Sequence, residues 1–366
     1  MGKHSLNREK VIKLLKIALI IFSSAAIITA GLILFFMFHG EEEARILFFL
    51  FYEGQTTVMY VLRINFIGAI SFVFVALTIL SVLYTEQAAR IIFIFSASAA
   101  IIAVGLICVF LFIQGLPAIW DIGVINFLTG TEWRPTWNPP LFGILPMIVG
   151  SLYVTAGAIL FGVPVGIFAA VFMAKFCPAP IYKGLKPAIN LLAGIPSVVY
   201  GYFGMVVLVP FVRENFGGNG NSILTASLLL GMMILPTIIT ISENAIRAIP
   251  NEIYEGAVAL GASHENATFR VVLPAAKSGV MASIILGIGR AIGETMAVRM
   301  VAGNQAVLRM PHEFLSGTRT LTANIVLELG YAYGGHRAAL IATGVVLFVF
   351  ILLINTLFSL LKNKGG

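Results

Sequence analysis

Long apolar tracts separated by short polar connections dominate the chain. Eight of them approach or exceed the roughly 20 residues that a helix needs to cross the hydrocarbon core. They run over 17–38, 64–84, 91–113, 147–173, 187–212, 222–241, 279–303 and 338–361. None alternates with period two over about 10 residues, as barrel strands do, and an open sheet would leave backbone groups unpaired in lipid. The pattern predicts an all-α, polytopic membrane protein of about eight transmembrane helices. An even number of spans puts both termini on one side. The seventh tract differs from the rest because charge interrupts it, at Arg290, Glu294 and Arg299.

Composition agrees with this reading. Hydrophobic residues make up 59% of the chain and charged residues 11%, against about a quarter charged in an average soluble domain. The net charge of +7 does not point to nucleic acid, because no basic patch is interleaved with aromatics. Lys and Arg gather instead at the ends of the apolar tracts. With the N-terminus inside, 14 of the 23 fall in cytoplasmic segments and seven in outer ones, while two lie within the seventh tract. That bias is the positive-inside pattern, so both termini are expected in the cytoplasm of a multi-pass cell-membrane protein. The tract 17–38 exceeds the 7–15 residues of a signal-peptide core and lacks a small-residue cleavage site after Phe38. It is read as a retained span. Cys108 and Cys177 imply no disulfide framework, and the five scattered histidines show no metal-ligand spacing. Ser24–Ile33 and Ser98–Ile107 match at eight of ten positions; duplication of a helix and coincidence within a small apolar alphabet both account for that.

A polar segment joins the sixth and seventh tracts. Pro250 suits a first helical turn, and Ile253, Ala257 and Leu260 fall on one face as an apolar stripe. Gly261 suits the left-handed position that ends a helix, and Ser263 can cap a second helix through Phe269. Pro274 then punctuates before the next span. Such a helix pair, projecting from a membrane protein, is built to enter a partner's groove.

Glu255, Ala257, Gly261, Val271, Leu273 and Pro274 also satisfy E-x-A-x3-G-x9-[I/V]-x-L-P. This resembles the "EAA" loop of ABC importer permeases, which couples a permease to a cytoplasmic ATPase. The resemblance implies the type I importer permease fold and assigns those residues, apart from the variable Val271, to ATPase coupling. The chain has no G-x4-G-K-[S/T] phosphate cradle, so it is expected to be a transport subunit and no enzyme, with ATP hydrolysed by another chain.

In the seventh tract Arg290 and Glu294 stand four apart, which on a continuous helix stacks them on one face and lets them pair. Charges at mid-bilayer cost about 2.5–3.5 kcal/mol on insertion scales, and they face cavities or partners. Gly289–Val298 (GRAIGETMAV) closely resembles a segment of phosphate-specific, Pst-type importer permeases. Ala193–Gly204 (AGIPSVVYGYFG), Leu235–Ile241 (LPTIITI) and Phe127–Pro135 (FLTGTEWRP) do the same. Met296-Ala297-Val298 and the FLTGTEW loop look like the C-type of the two related subunits in such importers. The resemblance implies inorganic phosphate as substrate, with Arg290, Glu294, Thr295 and Arg299 along its pathway. Arginine offers a planar fork of donors for phosphate oxygens, and Glu294 would hold that fork in register. For Arg299 a steering role and a structural one stand level.

The resemblance covers about 91–362. It divides the chain into an extension, 1–90, with two extra spans and the acidic Glu41-Glu42-Glu43, a first core helix and outer loop, 91–146, and a permease domain, 147–362, with a coupling loop at 243–278. The implied partners are an A-type permease, two ATPase subunits, an extracytoplasmic phosphate-binding protein and membrane lipid. No cofactor is implied. The alternatives are the A-type paralogue, a permease for another oxyanion, or an ion-coupled secondary transporter.

Overall fold

The structure, a computed structural model, describes residues 86–363. The tracts expected to span at 17–38 and 64–84, the acidic triplet and the first copy of the internal match lie outside the described residues. The chain divides into two compact units, Met1–Phe110 and Leu111–Gly366.

Helix α1, Glu86–Ile122, crosses that division. Then come the short α2, Val124–Thr129, and a two-stranded hairpin of β1, Trp133–Arg134, and β2, Leu141–Phe142, paired antiparallel. Helix α3, Leu145–Phe176, ends in a π-helical turn from Phe172. Helix α4 is Ala179–Gly194, α5 is Ser197–Phe216 and α6 is Ile223–Arg247. The polar segment forms α7, Asn251–Ala259, and α8, His264–Ala275. Beyond it lie α9, Lys277–Gly293, α10, Met296–Val301, α11, Leu321–Glu328, and α12, Gly334–Asn363. Among the described residues five helices are long and apolar enough to cross a membrane, or six if α8 and α9, bent by 71°, count as one span.

Two expected spans are broken. The tract 187–212 divides at Ile195, which is extended (φ −67, ψ 127) because the ring of Pro196 disfavours the helical region for the residue before it. The span proper starts at Ser197, and α4 is a separate amphipathic helix. The tract 279–303 divides at Glu294 (ψ 131) and Thr295, so α9 and α10 are distinct helices.

Helix α6 is the axis of the unit. Leu229, Leu230, Met233, Ile234 and Ile238 are fully buried along it, packed with Val154 and Ala158 of α3, Ala291 of α9 and Ala297, Val298 and Val301 of α10. Its N-terminus is capped by Ser222, whose Oγ accepts from Thr225 N at 3.2 Å. The glycines of α3 allow the contact to be close. A Cβ on Gly162 would stand 2.8 Å from the carbonyl oxygen of Gly231, and one on Gly166 would stand 2.7 Å from Ile238 Cγ2. Gly162 and Gly166 are one turn apart, the small-xxx-small spacing by which membrane helices approach. At the far side of α3, Ala118, Ile119, Phe127, Ile144 and Met147 form a second cluster with Leu321 of α11 and Leu340 and Val345 of α12.

This packing makes a direct prediction. Gly162→Ile should cost about 3 kcal/mol or more, since a backbone carbonyl cannot move aside as a side chain can. Gly184→Ala, on α4 with nothing within 4 Å of the added carbon, should cost nothing. Thermal unfolding of the two detergent-purified variants checks it, and equal midpoints would refute the close-approach account.

Candidate functional site

Three polar constructions sit on this frame. The first is the α7–α8 pair. Gly261 adopts φ +90, and nothing lies within 4 Å of where a Cβ would stand, so backbone conformation rather than space requires glycine there. Ser263 Oγ accepts from Asn266 N at 3.2 Å and caps α8. The second helix runs to Ala275 through a π-helical turn, six residues beyond the Phe269 expected from the sequence. Val272 is buried and Leu273 half-buried against Ala170, Val171 and Ile246, which roots the pair in the bundle. Pro274 lies exposed beside the bend, and Glu255 is exposed with Ala257 half-buried. The tips of the apolar stripe face outward: Leu260 is 92% exposed and Ile253 42%.

Sequence reasoning passed over the clamp that holds this pair. Tyr254 Oη and His264 Nδ1 are 2.7 Å apart and their rings stack at 6.1 Å. Lys175, at the end of α3, sits 4.9 Å above the Tyr254 ring. A tyrosine one residue from a motif glutamate gives no signal in one dimension.

The second construction surrounds Arg290. The helix ends at Gly293, so Arg290 and Glu294 do not stack, and the expected pair is not formed. Glu294 instead turns to α10: its Oε1 accepts from Thr295 N at 3.1 Å and Ala297 N at 3.2 Å. The carboxylate serves the exposed donors of a helix start, a use that competes with an ion pair. Arg290 reaches across to α6, where Nη1 donates to Thr237 Oγ1 at 3.2 Å. Thr237 belongs to the Leu235–Ile241 segment noted in the sequence, but no periodicity within α9 could reveal it. Thr295 spends its hydroxyl on Gly293 O at 3.3 Å. Arg299 lies on α10, half-buried, and its carbonyl accepts from Asn304 Nδ2 at 2.7 Å. The structure thus brings Arg290 and Thr237 together and holds Glu294, Thr295 and Arg299 around the α9–α10 break. Glu294 also lines a small cleft of mixed polarity with the polar Ser151, Thr155, Thr320 and Thr322 and the apolar Val154, Leu230 and Ile292, about 10 Å³ in volume, near the size of one water.

The third construction is a buried carboxylate. Glu243 of α6 is 0% exposed, and three groups meet it: Lys186 Nζ at 2.6 Å, Arg247 Nε at 2.8 Å and Tyr182 Oη at 2.7 Å. Arg247 also donates through Nη2 to Met173 O at 2.6 Å and lies 4.5 Å over the Tyr182 ring. The bond to the carboxylate, then burial, pushes the Tyr182 phenol above its ordinary range. The cluster ties α3, α4 and α6 at the end of the bundle that carries α7 and α8. No motif in the sequence singles out Glu243. At the opposite end Glu328 plays a matching part, taking Trp133 Nε1 at 2.8 Å and Arg319 Nη1 at 2.6 Å, with His336 Nε2 at 2.8 Å. Trp133 of the outer-loop motif is therefore a structural donor.

A bundle of membrane helices with a rooted, outward-facing helix pair and a charge inside the bundle defines a membrane permease that works with a partner. The chain belongs to the family of binding-protein-dependent transport system inner membrane components, whose pattern matches residues 162–364. It is a multi-pass membrane protein and a transport component, and the family implies a binding protein and an ATPase as partners. The probable ABC transporter permease protein YqgH of Bacillus subtilis is 43% identical over 262 residues, 69% of this chain and 84% of that protein. The phosphate transport system permease protein PstC of Mesorhizobium japonicum is 34% identical over 280 residues, 71% of this chain and 84% of that one. Among solved structures, an inward-facing MetNI methionine ABC transporter aligns at TM-score 0.47 and 20% identity over 61% of this chain and 94% of its own.

The Glu243 cluster carries its own prediction. Removing one member of a buried ion pair costs about 3–5 kcal/mol, so Glu243→Ala should lower the unfolding midpoint sharply. The exposed Glu214 has no such partners, and Glu214→Gln should leave the midpoint unchanged. Thermal unfolding in detergent compares them.

Proposed function

We propose that the chain is the C-type permease subunit of a phosphate importer, moving inorganic phosphate inward at the expense of ATP hydrolysed by a separate subunit. The observation that carries this reading is Arg290, a half-buried guanidinium inside the bundle. It is held by a neutral threonine rather than cancelled by a carboxylate. A fork of donors left with spare valence suits a strongly hydrated oxyanion, for which it substitutes water. The PstC proteins among the relatives supply the substrate, and the Gly289–Val298 segment points the same way.

On this reading Arg290 meets the anion, while Glu294 and Thr295 set the α9–α10 break and Arg299 lies toward its outer side. Glu255, Ala257, Gly261, Leu273 and Pro274 form the ATPase-coupling pair, with Leu260 and Ile253 as its apolar tips. The N- and C-termini and the α7–α8 pair are cytoplasmic. The permease domain is 147–362 with the coupling loop at 243–278, preceded by the helix and loop of 91–146 and the extension 1–90. One A-type permease, two ATPase subunits and an extracytoplasmic phosphate-binding protein complete the importer.

Two experiments test it. Gly261→Val places a β-branched residue at a φ that costs such side chains about 1–3 kcal/mol. The variant should insert and assemble in the membrane yet lose ATPase co-purification. Retained co-purification counts against coupling through this pair. Arg290→Gln should abolish phosphate uptake by the assembled importer, and Arg290→Lys should restore little of it, since a point charge does not reproduce the fork. Near-normal uptake in the glutamine variant removes Arg290 from the pathway.

A further inference from the structure

Helix α6 changes character at Thr237. From Thr225 to Ile234 almost every residue is buried, including Ala226, Ser227, Leu229, Leu230, Gly231 and Met233. Below Pro236 one side of the helix opens. At 100° per residue, the buried Ile238, Ile239, Ser242, Glu243 and Ile246 share one arc. Thr237, Thr240 and Asn244 share the opposite arc, half-buried, half-buried and exposed in turn. The three lie within about 60° of each other and extend for about 10 Å along the axis. The open face begins at the level of Arg290, because Thr237 is the residue that receives its guanidinium.

The hydroxyls and amide on this face are available. Elsewhere in the bundle a threonine satisfies itself on its own helix, as Thr343 does by donating to Ala339 O at 2.9 Å. Thr237 Oγ1 accepts from Arg290, and among the described residues no side-chain partner is seen for Thr240 or Asn244. A polar side chain without a hydrogen-bond partner is costly against lipid, so such a face is expected to meet water or protein. A row of neutral groups that both donate and accept is also chemically apt beyond a strong site. An ion must bind well enough to enter and weakly enough, at successive sites, to leave.

We propose that Thr237, Thr240 and Asn244 form the exit half of the anion path, a low-affinity ladder that passes a tetrahedral oxyanion from Arg290 toward the α7–α8 end. The inference rests on the reading that Arg290 meets the anion. Thr237 positions the guanidinium, and Thr240 and Asn244 offer hydrogen bonds in place of water along the next two turns.

The test uses the complete importer in proteoliposomes, with Cys108 and Cys177 replaced by serine. Thr240→Cys and Asn244→Cys should react with a charged, membrane-impermeant methanethiosulfonate applied to the α7–α8 side. Inorganic phosphate should slow that reaction several-fold, and Ile239→Cys on the buried arc should not react. Uptake should fall about tenfold in the Thr240→Val, Asn244→Leu double variant, as expected for losing one to two hydrogen bonds. Thr240→Ser should restore most of what Thr240→Val loses. Reaction only with a lipid-soluble maleimide would place the face against lipid and overturn the ladder. So would unaltered uptake in the double variant while Arg290→Gln abolishes it, and that outcome leaves the Arg290 assignment standing. Normal uptake in Arg290→Gln, even with phosphate protection at positions 240 and 244, would overturn the Arg290 assignment and with it a ladder that begins there.

Discussion

Inside a bilayer two apolar helices gain little by leaving lipid for each other, so association has to come from close packing and from polar groups that need a partner. The α3–α6 contact has both in one place. Gly162 and Gly166 bring the backbones together against Gly231 and Ile238, and Ser227 Oγ donates to Val154 O at 3.3 Å across the same seam. The α8, α9 and α10 helices take their positions from this pair. α9 and α10 pack on the buried arc of α6, and α8 is rooted where α3 and α6 end together, on Ala170, Val171 and Ile246.

The same constraint explains where the charges stand. Glu243 is fully buried, yet it loses little by leaving water because two cations and a phenol fill its lone pairs. It is structural by completeness. Arg290 is the contrary case, with a planar five-donor group and a single neutral acceptor from protein. Completeness marks Glu243 as a lock, and incompleteness is what makes Arg290 the proposed site.

How far the sequence could be read divides along the same line. Local chemistry was legible. The left-handed Gly261, the Ser263 cap and the helix-turn-helix between the spans all follow from residues within one turn of each other, and the structure has them. Among the described residues the apolar tracts located the spans but not their breaks. The break at Ile195 was present in the sequence as Pro196, and apolar content hid it. The break at Glu294 could not be read from spacing, because an acid four residues after an arginine looks the same whether it pairs backward or caps forward. Contacts between distant segments were out of reach altogether. Thr237 to Arg290 spans 53 residues and Lys186 to Glu243 spans 57. Only the fold brings them together.

The two ends of α6 then suggest how motion at the loop reaches the charge. α6 leaves the Glu243 cluster and passes straight into Pro250 and α7, so a push on the α7–α8 pair arrives first at residues tied to both α3 and α4. Those ties resist local bending, and a stiff helix transmits displacement along its axis rather than absorbing it. Some two turns above, the uncovered face of the same helix carries Thr237 and, through it, Arg290. The clamp at one end and the loosely held guanidinium at the other are therefore not separate features. On the proposed function, a rigid lower segment would let a small movement of the helix pair alter the hydrogen bond that directs the guanidinium.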